Sequence, residues 1–92
     1  MNKFKKDTLL PILYDLALDE TTQEDERKII IEAKNRLETG EDFLTTVSKL
    51  KGGLMIVSAD HILTENVLKL YSELLRQYPK RDIFGLPGGF IV

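Results

Sequence analysis

The residues that could do chemistry are few. The chain of 92 residues has one histidine, His61, and no cysteine. A zinc site needs three or four N, S or O ligands, and a general base needs a partner within hydrogen-bond reach. One imidazole following Asp60 meets neither need, and reads as a loop residue that caps or is solvated. The acidic run from Asp19 to Glu26 lacks the ligand spacing and central glycine of a calcium loop; it suits the positive end of a helix dipole. The glycines of "KGG" and "GLPGG" come without Gly-Lys-Ser/Thr and do not join a strand to a helix, so they form no phosphate cradle. Ser48, Ser58 and Ser72 fall on expected helices with no base nearby.

A small helical enzyme of the chorismate-mutase type would turn basic side chains inward around a dianion. Here Arg27, Lys28, Lys34, Arg36, Lys49, Lys51, Lys69 and Arg76 mostly fall between the apolar stripes, where water reaches them. The reading is therefore a non-enzyme without cofactor or metal. A generic helical adaptor for a soluble partner is the competing class.

Behind these residues stand four helical signals with short polar joints. The first, about 8–18, is apolar from Leu9 to Leu18 except at Asp15; if Asp7 or Thr8 caps it, Pro11 falls in the first turn or at its edge, whereas a helix beginning near Asn2 would be kinked there. The second, about 22–39, opens on "TTQEDE", where Thr21 with Glu24 or Thr22 with Asp25 has capping-box spacing, and it stops at Gly40. The third, about 42–59, repeats apolar residues at Phe43, Val47, Leu50, Leu54 and Val57 and passes through Gly52–Gly53 without losing phase. One helix with a close contact at the glycines is expected, with a break into two as the alternative. The fourth, about 64–78, is capped at Thr64 and ended by Pro79.

Short joints favour antiparallel neighbours. The expected fold is all-α: an antiparallel up-down four-helix bundle over residues 1–78, then an apolar, glycine-rich tail over 79–92. That topology gathers Lys3, Lys5 and Lys6 with Arg76, Lys80 and Arg81 at one pole, diluted there by Glu38, Glu41 and Asp42. It places Asp19, Glu20, Glu24, Asp25, Asp60 and Glu65 at the other. The net charge of −2 favours no nucleic-acid partner, and no apolar run is long enough to span a bilayer. The basic start has no uninterrupted apolar region or small-residue cleavage site, so a cytoplasmic protein is expected.

From "ILYDLALDETTQEDERKIIIEAKNRLETGEDFLTTVSKLKGGL" into "LTENVLKLYSELLRQYPK", about residues 9–80, the chain resembles the immunity proteins of class IIa (pediocin-like) bacteriocins, enterocin A immunity type. The resemblance lies in the order and spacing of "LYDLALD", the Glu26-to-Phe43 run, "SKLK" and the stretch from Leu63 to Leu74. It implies a cytosolic four-helix bundle that protects a cell from a pore-forming peptide. Protection would be exerted on the bacteriocin-bound membrane components of a mannose-type sugar phosphotransferase system, partly at the inner face of the membrane. It also implies that helix 4 and the tail decide which peptide is resisted. Gly52–Gly53 and the tail depart from the family's pattern.

The tail "IFGLPGGFIV" carries no charge. Its apolar residues can fold back over open core, where each contributes roughly 1.5–3 kcal/mol if fully buried. Or they can dock on a partner, with Lys80 and Arg81 near anionic headgroups. The expected recognition residues are Tyr78, Lys80, Arg81, Ile83, Phe84, Leu86, Phe90 and Ile91. A monomer is the simpler expectation, given polar faces on helices 2 and 4.

Overall fold

The computed structural model describes residues 3–79. The tail from Lys80, with seven of the eight expected recognition residues, lies outside the described residues. Among the described residues four α-helices follow one another: α1 (Lys6–Leu18), α2 (Glu24–Glu38), α3 (Phe43–Asp60) and α4 (Glu65–Gln77). The described residues contain no strand.

Each boundary has a local cause. α1 starts two residues before its expected position because Thr8 turns its hydroxyl back to accept from the Lys5 N–H at 2.8 Å. Pro11 therefore stands in the second turn. The N–H it lacks would have bonded the carbonyl of Asp7, which is exposed and can take water instead. At the other end of α1, Arg27 reaches across to the carbonyls of Ala17, Asp19 and Thr22, a cation on the negative end of the helix. α2 is capped at Gln23, whose N–H donates to Glu26 at 2.9 Å, and not at Thr21 or Thr22. Gly40 follows it with φ of +93°, a conformation that costs a residue with a Cβ. Asp42 caps α3 by accepting from the Thr45 N–H at 3.0 Å.

α3 runs unbroken through its glycine pair. The pair divides its labour. A Cβ on Gly53 would lie 2.9 Å from Ile29 of α2, whereas one on Gly52 would meet nothing. Gly53 thus sets the approach of α2 and α3.

The core is aliphatic and draws on every helix: Leu9 and Leu13, Ile30 and Leu37, Leu50 and Leu54, Val67 and Leu74 are all fully buried. The closest packing joins α1 to α2 and α2 to α3, with α3 to α4 lighter. α4 is further held to α1 at its two ends, through the contacts described next.

Candidate functional site

One end of α4 is tied down by a carboxylate from another helix. Glu26 is fully buried on α2. Besides capping its own helix, it accepts from the Thr64 N–H at 2.7 Å and from the Thr64 hydroxyl at 2.6 Å. Beside it, His61 spans the joint: Nε2 lies 2.8 Å from Asp25 and Nδ1 2.9 Å from the Ile62 carbonyl. Asn66 donates to Asp19 at 2.9 Å. The Ile62 carbonyl and then the Asp25 carboxylate raise the pKa of His61. The Thr21 hydroxyl and N–H, with Asn66, lower that of Asp19. The acidic residues expected at this pole are therefore partly consumed as helix caps and joint fasteners.

The opposite end of α4 is tied to the N-terminal segment. The Phe4 N–H donates to Gln77 at 2.6 Å, and the Tyr78 hydroxyl donates to the Phe4 carbonyl at 2.8 Å. Tyr78 sets its ring edge-on to Phe43, with centroids 6.0 Å apart, and Lys3 lies 4.8 Å over its face. Lys51 donates to the Tyr78 carbonyl. Burial raises the phenol's pKa. Of the expected recognition residues, Tyr78 is the one that the structure describes, and it is a half-buried anchor at the root of the tail.

Between its two fixed ends α4 leaves apolar surface open. Leu68 and Leu75, seven residues apart and so on one helical face, are 42% and 44% exposed, with half-buried Tyr71 between them. Ile62, just before the helix, is 88% exposed. This strip leads along α4 to Tyr78 and hence to where residues 80–92 begin. Among the described residues no group of three or more His, Cys, Asp or Glu could hold a metal. No described helix is long and apolar enough to cross a membrane.

Sequence reasoning missed Glu26 because Gln23 shares the three-residue spacing of Thr21 with Glu24 and Thr22 with Asp25 but lacks their hydroxyl, so the pattern favours the threonines. It also missed Arg27 as the cap of α1, a contact across ten residues that no local pattern announces.

No curated protein and no solved structure matches the chain. A family model described as the bacteriocin immunity protein family matches residues 4–77, from the residue that Gln77 binds to Gln77 itself, and so takes in all four helices. The chain belongs to the bacteriocin immunity protein family, enterocin A immunity type.

Proposed function

We propose that this protein gives a cell resistance to a pore-forming class IIa bacteriocin. It acts from the cytosol, as a monomer, on the bacteriocin-bound membrane components of a mannose-type sugar phosphotransferase permease. In this reading the four helices form an antiparallel up-down bundle that presents a recognition surface. That surface comprises the outer face of α4 and residues 79–92, with Lys80 and Arg81 toward the headgroups and the apolar set from Ile83 to Ile91 against the permease. The observation that carries the reading is the family match over all four helices. The exposed strip of Leu68, Tyr71 and Leu75, which leads to the tail, supports the choice of surface. A few apolar side chains give weak, reversible membrane affinity, so a protein target must supply the rest.

The test is protection of cells. The full chain, and separately residues 1–78, are expressed in a strain sensitive to class IIa bacteriocins and challenged with a panel of those peptides. Every described helix and every core residue among the described ones lie within residues 1–78, so the shorter chain is expected to fold, which thermal melting checks. Protection by the full chain alone assigns recognition to the tail. Equal protection by both removes the tail from the surface, and protection by neither points to an adaptor for a soluble partner.

A further inference from the structure

α1 and α4 are pinned together at both ends, by Phe4 with Gln77 and by Asp19 with Asn66, yet they are not among the closely packed helix pairs. Between the pins lies an open cleft of 320 Å³. Its floor is apolar: Phe4, Ile12 and Leu16 from the N-terminal side meet Leu70 of α4. Asp15, Asp19 and Glu73 stand on its rim with Lys69. Lys69 is held 3.7 Å from Glu65, and Arg76 binds Glu73 at 2.8 Å. Asp15 is exposed and has no hydrogen-bond or ion-pair partner among the described residues, so among these its carboxylate is the one on the rim left to meet a cation. Asp15 is also the one residue that breaks the apolar run of α1. A leucine there would close the face; an aspartate keeps it open and charged.

We propose that this cleft docks a basic peptide segment carrying one large apolar side chain. The volume is near the lower bound of ligand pockets, about 300 Å³, which suits a side chain and not a whole helix. The apolar side chain rests on Phe4, Ile12, Leu16 and Leu70, and a flanking Lys or Arg meets Asp15, while Asp19 and Glu73, already bonded to Asn66 and Arg76, add to the field of the rim. The acidic rim repels nucleic acid and anionic headgroups and selects a cationic polypeptide. Cytoplasmic loops of membrane proteins are enriched in Lys and Arg, so such a loop is the occupant that fits. This choice of loop rests on the reading of a membrane protein partner, and it adds to α4's outer face a second contact on the α1 side.

The probe is an amide-capped pentapeptide of two lysines, phenylalanine and two lysines, with a glutamate-for-lysine version as control, titrated into the isotopically labelled full chain. Amide shifts are expected to saturate and to cluster within residues 12–19 and 66–73. Asp15→Lys should weaken binding by roughly three- to tenfold, while Glu24→Lys, away from the cleft, should not. Raising salt from about 50 to about 500 mM should weaken it further, as for exposed charges. Thermal melting checks that both variants fold, and both sites are exposed. Absence of shifts, shifts elsewhere, or equal response to the glutamate peptide overturns the proposal. Cleft amides that move on dilution of the protein alone would name a second copy as occupant, and those that move with Phe84→Ser would name the chain's own tail; either overturns it. In the protection assay, a wild type and an Asp15→Lys variant that protect equally would overturn the cleft's role and leave the immunity reading standing. A wild type that protects against nothing would fail that reading, and the titration would then judge the cleft alone.

Discussion

Glu26 and Thr64, 38 residues apart in sequence, form a closed pair: one buried carboxylate accepts both the backbone N–H and the hydroxyl of the other residue, at 2.7 and 2.6 Å. The same carboxylate caps α2 through the Gln23 N–H. One side chain thus starts two helices at once and fixes α4 relative to α2.

Glu26→Ala would remove the acceptor of three donors, of which the Thr64 hydroxyl keeps the Thr21 carbonyl at 3.2 Å and the Gln23 N–H belongs to an exposed residue that water reaches. Leaving a buried donor unsatisfied costs about 1–3 kcal/mol, and with the Thr64 N–H the one donor left without an alternative the expected total is about 1–3 kcal/mol. Urea unfolding measures it. Glu26→Gln keeps an acceptor and should lose about half as much. A loss below about 0.5 kcal/mol for the alanine variant would mean that the pair does not hold the helices.

His61 makes stability pH-dependent in a defined direction. Both its ring nitrogens face acceptors, the Ile62 carbonyl and the Asp25 carboxylate, so both bonds form only when the ring is protonated. Its pKa is raised in the fold. Its contribution is therefore fully present below the unfolded value and disappears as pH rises through the folded one. The melting temperature of the wild type should exceed that of His61→Asn most at about pH 5.5 and least at about pH 8. A gap that widens with pH would contradict the geometry. Asp19, Glu41 and Glu73 act in the opposite sense. Hydrogen bonds from Thr21, Lys49 and Arg76 respectively lower their pKa values, so their contribution is lost as pH falls through those lowered values.

The helices were legible because their signals are local. In α3 the steps of four and three from Phe43 to Val57 mark the face that packs inward, and Gly40 marks the turn where φ becomes positive. The choice among overlapping caps before α2 was not legible. Thr21, Thr22 and Gln23 each have an acidic residue three positions on, and what selects Gln23 is that Glu26 also serves Thr64 from the far end of the chain. Thr64 was expected at the start of α4 and stands there, yet its hydroxyl serves Glu26 and not its own helix. Asp15 looked like a mere interruption of an apolar run. Its place on a rim depends on α4, whose packing against α1 no window of sequence encodes.

Gly52 and Gly53 are adjacent in one helix and should answer differently to the same change. At Gly52 a methyl group meets nothing, so Gly52→Ala should stabilise by about 0.5–1 kcal/mol, the helix-propensity difference. At Gly53 the methyl lies 2.9 Å from both Cδ1 and Cγ2 of Ile29, and the latter is fixed to a β-branched carbon that cannot swing away. Overpacking of this kind costs about 1–3 kcal/mol, more than the propensity gain, so Gly53→Ala should destabilise. Adding Ile29→Ala should recover most of the loss relative to Ile29→Ala alone. Thermal melts of the four variants decide it, and equal stabilisation at both glycines would show that α2 yields freely.

Tyr78 separates anchoring from recognition. Its hydroxyl closes on the Phe4 carbonyl, while its ring is held by Phe43 and Lys3. Tyr78→Phe removes one hydrogen bond and keeps the ring contacts, for an expected loss of about 1 kcal/mol. Tyr78→Ala removes both and should cost about 3 kcal/mol. If Tyr78 serves by fixing the root of the tail, protection of cells should be near normal with phenylalanine and reduced with alanine, in step with the fall in melting temperature. If Tyr78→Phe abolishes protection while the protein melts within a few degrees of the wild type, the hydroxyl must leave Phe4 and bond the partner. Tyr78 would then belong to the recognition surface itself, and the N-terminal segment would be released whenever the protein binds.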